Sequence, residues 1–235
     1  MYKNYVFNLY GTLIDIKTNE EKSEIWEKLA IYLGYNSAHY DNQELKESFD
    51  KIVKKLIKKN DHYECPDYQI EDVFFKLYKD KGVKPKKKAK FAAKTFRLLS
   101  TDSIKLYDGV LDVMEQLKAQ DKKIYLLSNA QKAFANSEMK YLGIKKLFDG
   151  ICISSDVGIR KPDTKFYEYF FEKYDIRPEE TIFVGNDAID LKGASNMGID
   201  SMYIHTNLSQ GNAEDVPSKY KILDGDIRKL CDIIK

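Results

Sequence analysis

Hydrophobic and polar positions divide the chain into stretches of different period. From Tyr5 to Leu9 the residues are almost all apolar, and the run gives way to polar groups and a turn at Gly11 before Asp15. That pattern predicts a buried strand that delivers side chains to a site at its C-terminal edge. Residues 17 to about 100 then carry a helical period and almost no strand-like run. Ile25, Trp26, Leu29, Tyr32 and Leu33 fall on one helical face, with Gly34 as its stop. Leu45, Phe49, Ile52, Val53, Leu56 and Ile57 make a second apolar stripe. Ile70, Val73, Phe74, Leu77 and Tyr78, ended by Gly82, make a third, and Ala89, Ala92, Ala93, Phe96 and Leu99 a fourth. Four amphipathic helices predict a small bundle inserted into something else.

From Leu106 onward strand and helix patterns alternate. Asp108 is placed to cap a helix whose apolar face is Val110, Leu111, Met114 and Leu117. Lys123–Leu127 reads as a near-continuous strand ending at Ser128-Asn129-Ala130, with a helix through Leu142 and a stop at Gly143. Ile151–Ile153, Thr181–Val184 and Met202–Ile204 read as further strands, Thr164–Tyr174 as a helix, and Asp226–Ile234 as a closing helix. The fold class is therefore α/β, a doubly wound parallel sheet carrying an inserted α-helical bundle. The core comprises residues 1–16 and 101–235, and the helical domain 17–100.

Composition narrows the partners. In 235 residues, thirty-nine basic side chains nearly balance thirty-seven acidic ones, so the net charge of +2 gives no reason to expect nucleic acid or an anionic membrane. A small molecule is the expected partner. The lysine run from Lys84 to Lys90 reads as a solvated loop and helix start, Trp26 as bundle core, and His39, His62 and His205 as structural or exposed residues without catalytic spacing. Cys65, Cys152 and Cys231 are odd in number and far apart, which points to a reducing compartment. With no N-terminal signal pattern and no long apolar span, a soluble, cytoplasmic protein is expected.

Polar residues recur where strands end. Asn8, Ser128 and Asp187 each follow a buried strand, where open α/β sheets hold their ligands, and Lys161 in Ile159-Arg160-Lys161-Pro162-Asp163 can reach the same crevice. Taken in order these stretches resemble the four motifs of the haloacid dehalogenase superfamily of hydrolases. Asn8-Leu9-Tyr10-Gly11-Thr12-Leu13-Ile14-Asp15 is similar to its first motif, Ser128 to the hydroxyl of the second, and Lys161 to the lysine of the third. Gly185-Asn186-Asp187-Ala188-Ile189-Asp190, followed by Gly193-Ala194 and Gly198, is similar to the acidic fourth. The helical insert resembles the family's cap, which closes over substrate and sets specificity.

The resemblance implies a carboxylate at position 8 that attacks phosphorus and carries the phosphoryl group, splitting hydrolysis into two displacements. It implies that Gly11, Thr12, Ser128, Asn129 and Lys161 hold the substrate's oxygens. It also implies a Mg²⁺ ion held through position 8, the Tyr10 carbonyl, Asn186 and either Asp187 or Asp190, because this hard ion requires oxygen ligands. The expected partner is a small phosphorylated metabolite, and the substrate itself is left open.

Two positions depart from the pattern. Asn8 stands where the family has its nucleophilic Asp; a neutral amide is a poor nucleophile, so the covalent route should be largely lost. Either a hydrolase was inactivated by exchange, deliberate or recent, or the chain is a non-catalytic phosphometabolite binder; the intact remaining motifs favour the first. Tyr10 stands where family phosphatases carry an acid, and tyrosine is a weak one at neutral pH. Tyr10 and the short fourth motif are features of the family's 2-haloacid dehalogenases. Against that reading, residues 16 to 96 contain no arginine to receive halide, and Asp187 suits a metal site. Phosphatase-like hydrolysis therefore ranks first, dehalogenation second and binding without turnover third.

Overall fold

The apolar run at the start of the chain becomes β1 (Asn4–Phe7), and its alternating side chains serve two cores. In the computed structural model, which describes residues 2–234, Tyr5 and Phe7 pack on one face of the sheet and Val6 on the other. After a tight turn comes β2 (Ile14–Thr18), then four helices: α1 (Ser23–Tyr35), α2 (Asn42–Lys59), α3 (Ile70–Asp80) and α4 (Lys86–Ser100). β3 (Thr101–Leu106) returns antiparallel to β2, so the chain enters and leaves the bundle along one two-stranded ribbon. The sequence pattern did not reveal this ribbon, because β3 is largely exposed and has no continuous apolar run.

The remainder alternates as expected. It runs through α5 (Val110–Ala119), β4 (Lys123–Ser128), α6 (Lys132–Tyr141), β5 (Gly150–Ile153), the single turn α7 (Ser154–Val157) and α8 (Thr164–Tyr174). It ends with β6 (Thr181–Gly185), α9 (Ala188–Asn196), β7 (Asp200–Ile204), β8 (Tyr220–Ile222) and α10 (Leu230–Ile233). Six strands form one parallel sheet in the order β5-β4-β1-β6-β7-β8. The order reverses beside β1, and the crevice at such a switch point is where this architecture holds its ligands.

Four local expectations are corrected. Gly34 lies inside α1, which Asn36 ends. Gly109, at φ +83°, rather than Asp108, occupies the N-cap of α5. Val113 takes the buried position expected for Leu111, which is exposed. The closing helix is a short 3₁₀ turn and one α turn, with β8 unanticipated ahead of it. Elsewhere Lys84, Lys87 and Lys90 are exposed, and the Lys86 side chain lies outside the described residues. Among the described residues no helix is long and apolar enough to cross a membrane.

The bundle has its own aromatic core, in which Trp26, Phe49, Phe74 and Phe96 pack with ring centroids 5.2 to 6.0 Å apart. Ala133 and Phe134 of α6 join that core, fastening the bundle to the sheet domain by apolar contact. Polar bonds add a second attachment at the loop between α2 and α3. The Asp163 carboxylate accepts from the Glu64 and Cys65 amides at 2.9 and 3.3 Å, while the Asp67 amide donates to the Gly158 carbonyl at 2.9 Å. The Arg160 amide donates to the Cys65 carbonyl at 2.9 Å, and Pro66 and Ile159 pair as an isolated antiparallel bridge. Gln131, just after β4, accepts from the Ile70 amide at 2.8 Å and donates to the Tyr68 carbonyl at 2.9 Å.

Asp163→Ala removes two of these bonds and also the cap that Asp163 gives the Lys165 amide at the start of α8, so three amides lose partners at a cost of about 1–3 kcal/mol. Hydrogen exchange should then quicken at Glu64 and Cys65 well beyond the change at bundle-core amides. Equal protection in the variant would show that the loop is held by its apolar contacts alone.

Candidate active site

Asn8, Ser128 and Asn186 are delivered by the ends of strands, and Lys161 by the loop between α7 and α8. Phe7 is in register with Leu126 of β4 and Val184 of β6, so Asn8 emerges between the two neighbours. Its amide is fixed by the Val184 carbonyl at 2.9 Å. Ser128 closes β4, Asn186 and Asp187 follow β6, and Asp190 lies in the first turn of α9. Gly193 lets α9 approach α8: a Cβ there would lie 2.7 Å from the Tyr167 hydroxyl, which donates to the Asp190 carbonyl at 2.7 Å. Asn8, Ser128, Lys161, Asn186 and Asp190 are all buried.

Lys161 is the charge at the centre. Its Nζ, with a side chain fully removed from solvent, lies 2.5 Å from Asp190 Oδ2 and 3.1 Å from Asn8 Oδ1. Burial draws Lys161 below the usual ammonium range and raises Asp190 above the usual carboxylate range, and the attraction between them opposes both shifts. The Phe183 ring faces the ammonium at 4.9 Å. Ser128 Oγ donates to the same Asn8 Oδ1 at 3.1 Å. One oxygen at position 8 thus receives both the hydroxyl of the second motif and the lysine of the third.

The sequence-based site residues separate into those at this centre and those that hold it. Asn129 donates to the Lys161 carbonyl at 3.0 Å and accepts from the Lys161 amide at 2.8 Å, so both ends of its carboxamide fix the lysine backbone rather than a substrate. Thr12 is fully buried and donates to Asn186 Oδ1 at 3.1 Å. The Gly11 and Thr12 amides are spent inside their own turn, on the Ile14 and Leu9 carbonyls. Gly11 itself is required at φ +77°, where a Cβ would fall 2.2 Å from Asn186 Nδ2. These three residues support the first loop and the Lys161 backbone.

Two further expectations change. The exposed Asp187 side chain caps α9 by accepting from the Ile189 amide at 2.7 Å. The Tyr10 hydroxyl donates to Glu138 Oε2 at 2.5 Å, and burial pushes the phenol well above its ordinary range, so its proton is directed to Glu138. Only the Tyr10 carbonyl faces the centre, accepting from Asn8 Nδ2 at 3.0 Å.

Glu138 introduces a residue that the sequence reading missed. Its Oε1 accepts from Arg97 Nε at 2.6 Å, and the Arg97 guanidinium faces the Tyr10 and Phe134 rings at 5.4 and 5.1 Å. Arg97 lies in the last turn of α4, one residue beyond the stretch found free of arginine. Its rarity was a signal, for only four of the thirty-nine basic residues are arginine, and a guanidinium suits a desolvated fork-shaped contact. Glu138, a charge on the buried face of α6, was the other. Both grounds for ranking dehalogenation below phosphatase chemistry are thereby weakened: an arginine stands beside Tyr10, and Asp187 is engaged elsewhere.

The residues present do not fit Mg²⁺. Position 8 and Asn186 offer neutral amides, the Tyr10 carbonyl already accepts from Asn8, and the buried carboxylate at this centre, Asp190, is neutralised by Lys161. A hard dication draws its affinity from anionic oxygens. No step in the present chain is routed through a metal.

Arg97→Met leaves Glu138 buried beside Tyr10 without its cation, a change of about 3 kcal/mol in urea unfolding. Arg97→Met combined with Glu138→Gln should cost less than the two single changes added together. Additive costs would show that the pair does not act as a unit.

Comparison with known proteins agrees with this geometry. The sequence profile described as haloacid dehalogenase-like hydrolase matches residues 5–204. An (S)-2-haloacid dehalogenase of Burkholderia cepacia is 22% identical over 220 residues, 92% of this chain and 89% of its own. The pyrimidine 5'-nucleotidase of Streptococcus pneumoniae is 23% identical over 230 residues, 92% of this chain and 90% of its own. The fold is shared with the HAD-hydrolase YfnB of Bacillus subtilis, whose crystal structure is bound to magnesium: TM-score 0.58, 19% identity, 99% of this chain and 98% of that one. The chain belongs to the family of haloacid dehalogenase-like hydrolases.

Proposed function

We propose that this fold hydrolyses a small anionic substrate, a phosphorylated metabolite first, by attack from position 8, and that Asn8 leaves the present chain able to bind with little turnover. The carrying observation is that Ser128 Oγ and Lys161 Nζ converge at 3.1 Å on one oxygen of residue 8. A hydroxyl and an ammonium aimed at one point can hold the oxygens of an anion against an attacking group, in a site from which water is excluded. Position 8 lies on a strand end with its backbone fixed, so an attacking oxygen there would be held in line. The amide of Asn8 has no anionic oxygen to offer, which is why the chain as it stands should not form an acyl phosphate. In the Asn8→Asp form, Mg²⁺ would supply charge neutralisation to the phosphate. Residues 17–100 act as the cap over this crevice, supported by the Phe134 contact and the Asp163 bonds. The setting is the cytoplasm, in keeping with three free cysteines.

A second reading, 2-haloacid dehalogenation, is favoured by the Arg97–Glu138–Tyr10 cluster and by the absorption of Asp190 by Lys161. There the same oxygen would displace halide from carbon, and the reaction would need no metal.

The Asn8→Asp protein should hydrolyse p-nitrophenyl phosphate with Mg²⁺ and lose that activity in EDTA, while the parent chain turns over at least about a hundredfold more slowly. Release of chloride from 2-chloropropionate in EDTA would instead establish the second reading. Inactivity of Asn8→Asp in both assays, in a folded protein, would defeat both.

A further inference from the structure

The polar centre of the site is closed on itself by the Asn8 carboxamide. Nδ2 donates to the Tyr10 carbonyl at 3.0 Å and to Asn186 Oδ1 at 3.2 Å. Oδ1 accepts from Ser128 Oγ and Lys161 Nζ, each at 3.1 Å. An amide has two N–H donors and two acceptor lone pairs, and here all four are used. The opposite orientation would set Oδ1 against two oxygens and the NH₂ against an ammonium, so the partners fix which end is which.

We propose that the NH₂ of Asn8 takes the place of a divalent cation, so that this chain keeps its anion pocket assembled without metal. The two oxygens that receive Nδ2, the Tyr10 carbonyl and Asn186 Oδ1, belong to motifs one and four, and among the described residues Nδ2 is the hydrogen-bond donor that links them to residue 8. They converge on a single point, as ligands of one ion would. Thr12 Oγ1 also donates to Asn186 Oδ1, holding that oxygen towards Asn8.

Charge makes the same demand. Lys161 and Asp190 balance as a buried pair, so with a neutral residue 8 these buried groups carry no net charge, and the nearby exposed Asp187 adds negative charge that acts on both. A carboxylate at position 8 would add one uncompensated negative charge. It would also turn an oxygen towards the Tyr10 carbonyl where a donor now stands. Buried charge without a partner is costly, and a cation at the Nδ2 position would relieve both faults. The amide supplies two N–H groups to those oxygens with no charge to balance. This inference rests on the reading of position 8 as the point of attack, but it concerns assembly of the site rather than turnover.

The test uses the full chain and Mn²⁺ as the probe, followed by the electron paramagnetic resonance signal of the free ion. The parent protein should leave the signal unchanged, whereas excess Asn8→Asp protein should remove most of it. In EDTA the Asn8→Asp protein should melt about 5 °C below the parent, and Mg²⁺ should restore it while leaving the parent unmoved. Mn²⁺ uptake by the parent equal to that of the variant would overturn the proposal, as would uptake by neither. Should Asn8→Asp fail to fold, Asn8→Ala decides: it removes the bridging donors without adding charge, so it should melt lower than the parent and not respond to Mg²⁺. A melting temperature equal to the parent's would overturn the bridge. Mn²⁺ uptake by Asn8→Asp without hydrolysis of any substrate would count against the hydrolase reading and leave this inference standing.

Discussion

An ammonium buried away from water must be paired and hydrogen-bonded, and the site is built around meeting that requirement for Lys161. Asp190 supplies the opposite charge, Asn8 a second acceptor and Phe183 a ring face. Each comes from a different part of the chain, so the parallel order of β4, β1 and β6 has to be correct before the lysine can be satisfied. Asn129 fixes the lysine backbone from the end of β4, and Tyr167 fixes the turn that carries Asp190. Displacing any of these strand ends would leave a desolvated charge behind. That penalty is comparable to a large fraction of the stability of a typical domain.

The core was legible because a parallel sheet covered on both faces needs continuous apolar strands, and those stand out in the sequence from Tyr5, Lys123 and Thr181. Residues such as Asn8, Ser128 and Lys161 could be assigned to one crevice because strand ends in this architecture lead to one place. What could not be read was direction. Asn129, Thr12 and Asp187 occupy the expected positions, yet their side chains point into backbone, a neighbouring amide and a helix end. Position along a strand settles location to within a residue, whereas the choice of partner depends on three-dimensional neighbours. The same limit hid the ribbon, because β3 has no buried position and is defined by its pairing with β2.

Arg97 shows a further limit. It lies inside the expected helical insert, one residue past the stretch without arginine, and its side chain reaches across to α6 and to the first loop. An element's last turn belongs energetically to whatever it touches. Here the guanidinium joins the bundle, α6 and Tyr10 in one buried electrostatic unit, with the phenol bonded to Glu138 as a strut.

The α2–α3 loop pairs with the chain on both sides of Lys161, through Gly158, Ile159 and Arg160 before it and Asp163 after it. Uncovering the crevice at that edge must therefore break bonds to the very segment that presents the ammonium. Admission of a ligand and the aim of its main positive charge are mechanically one event: a chain pulled open there is also a chain with its lysine loosened.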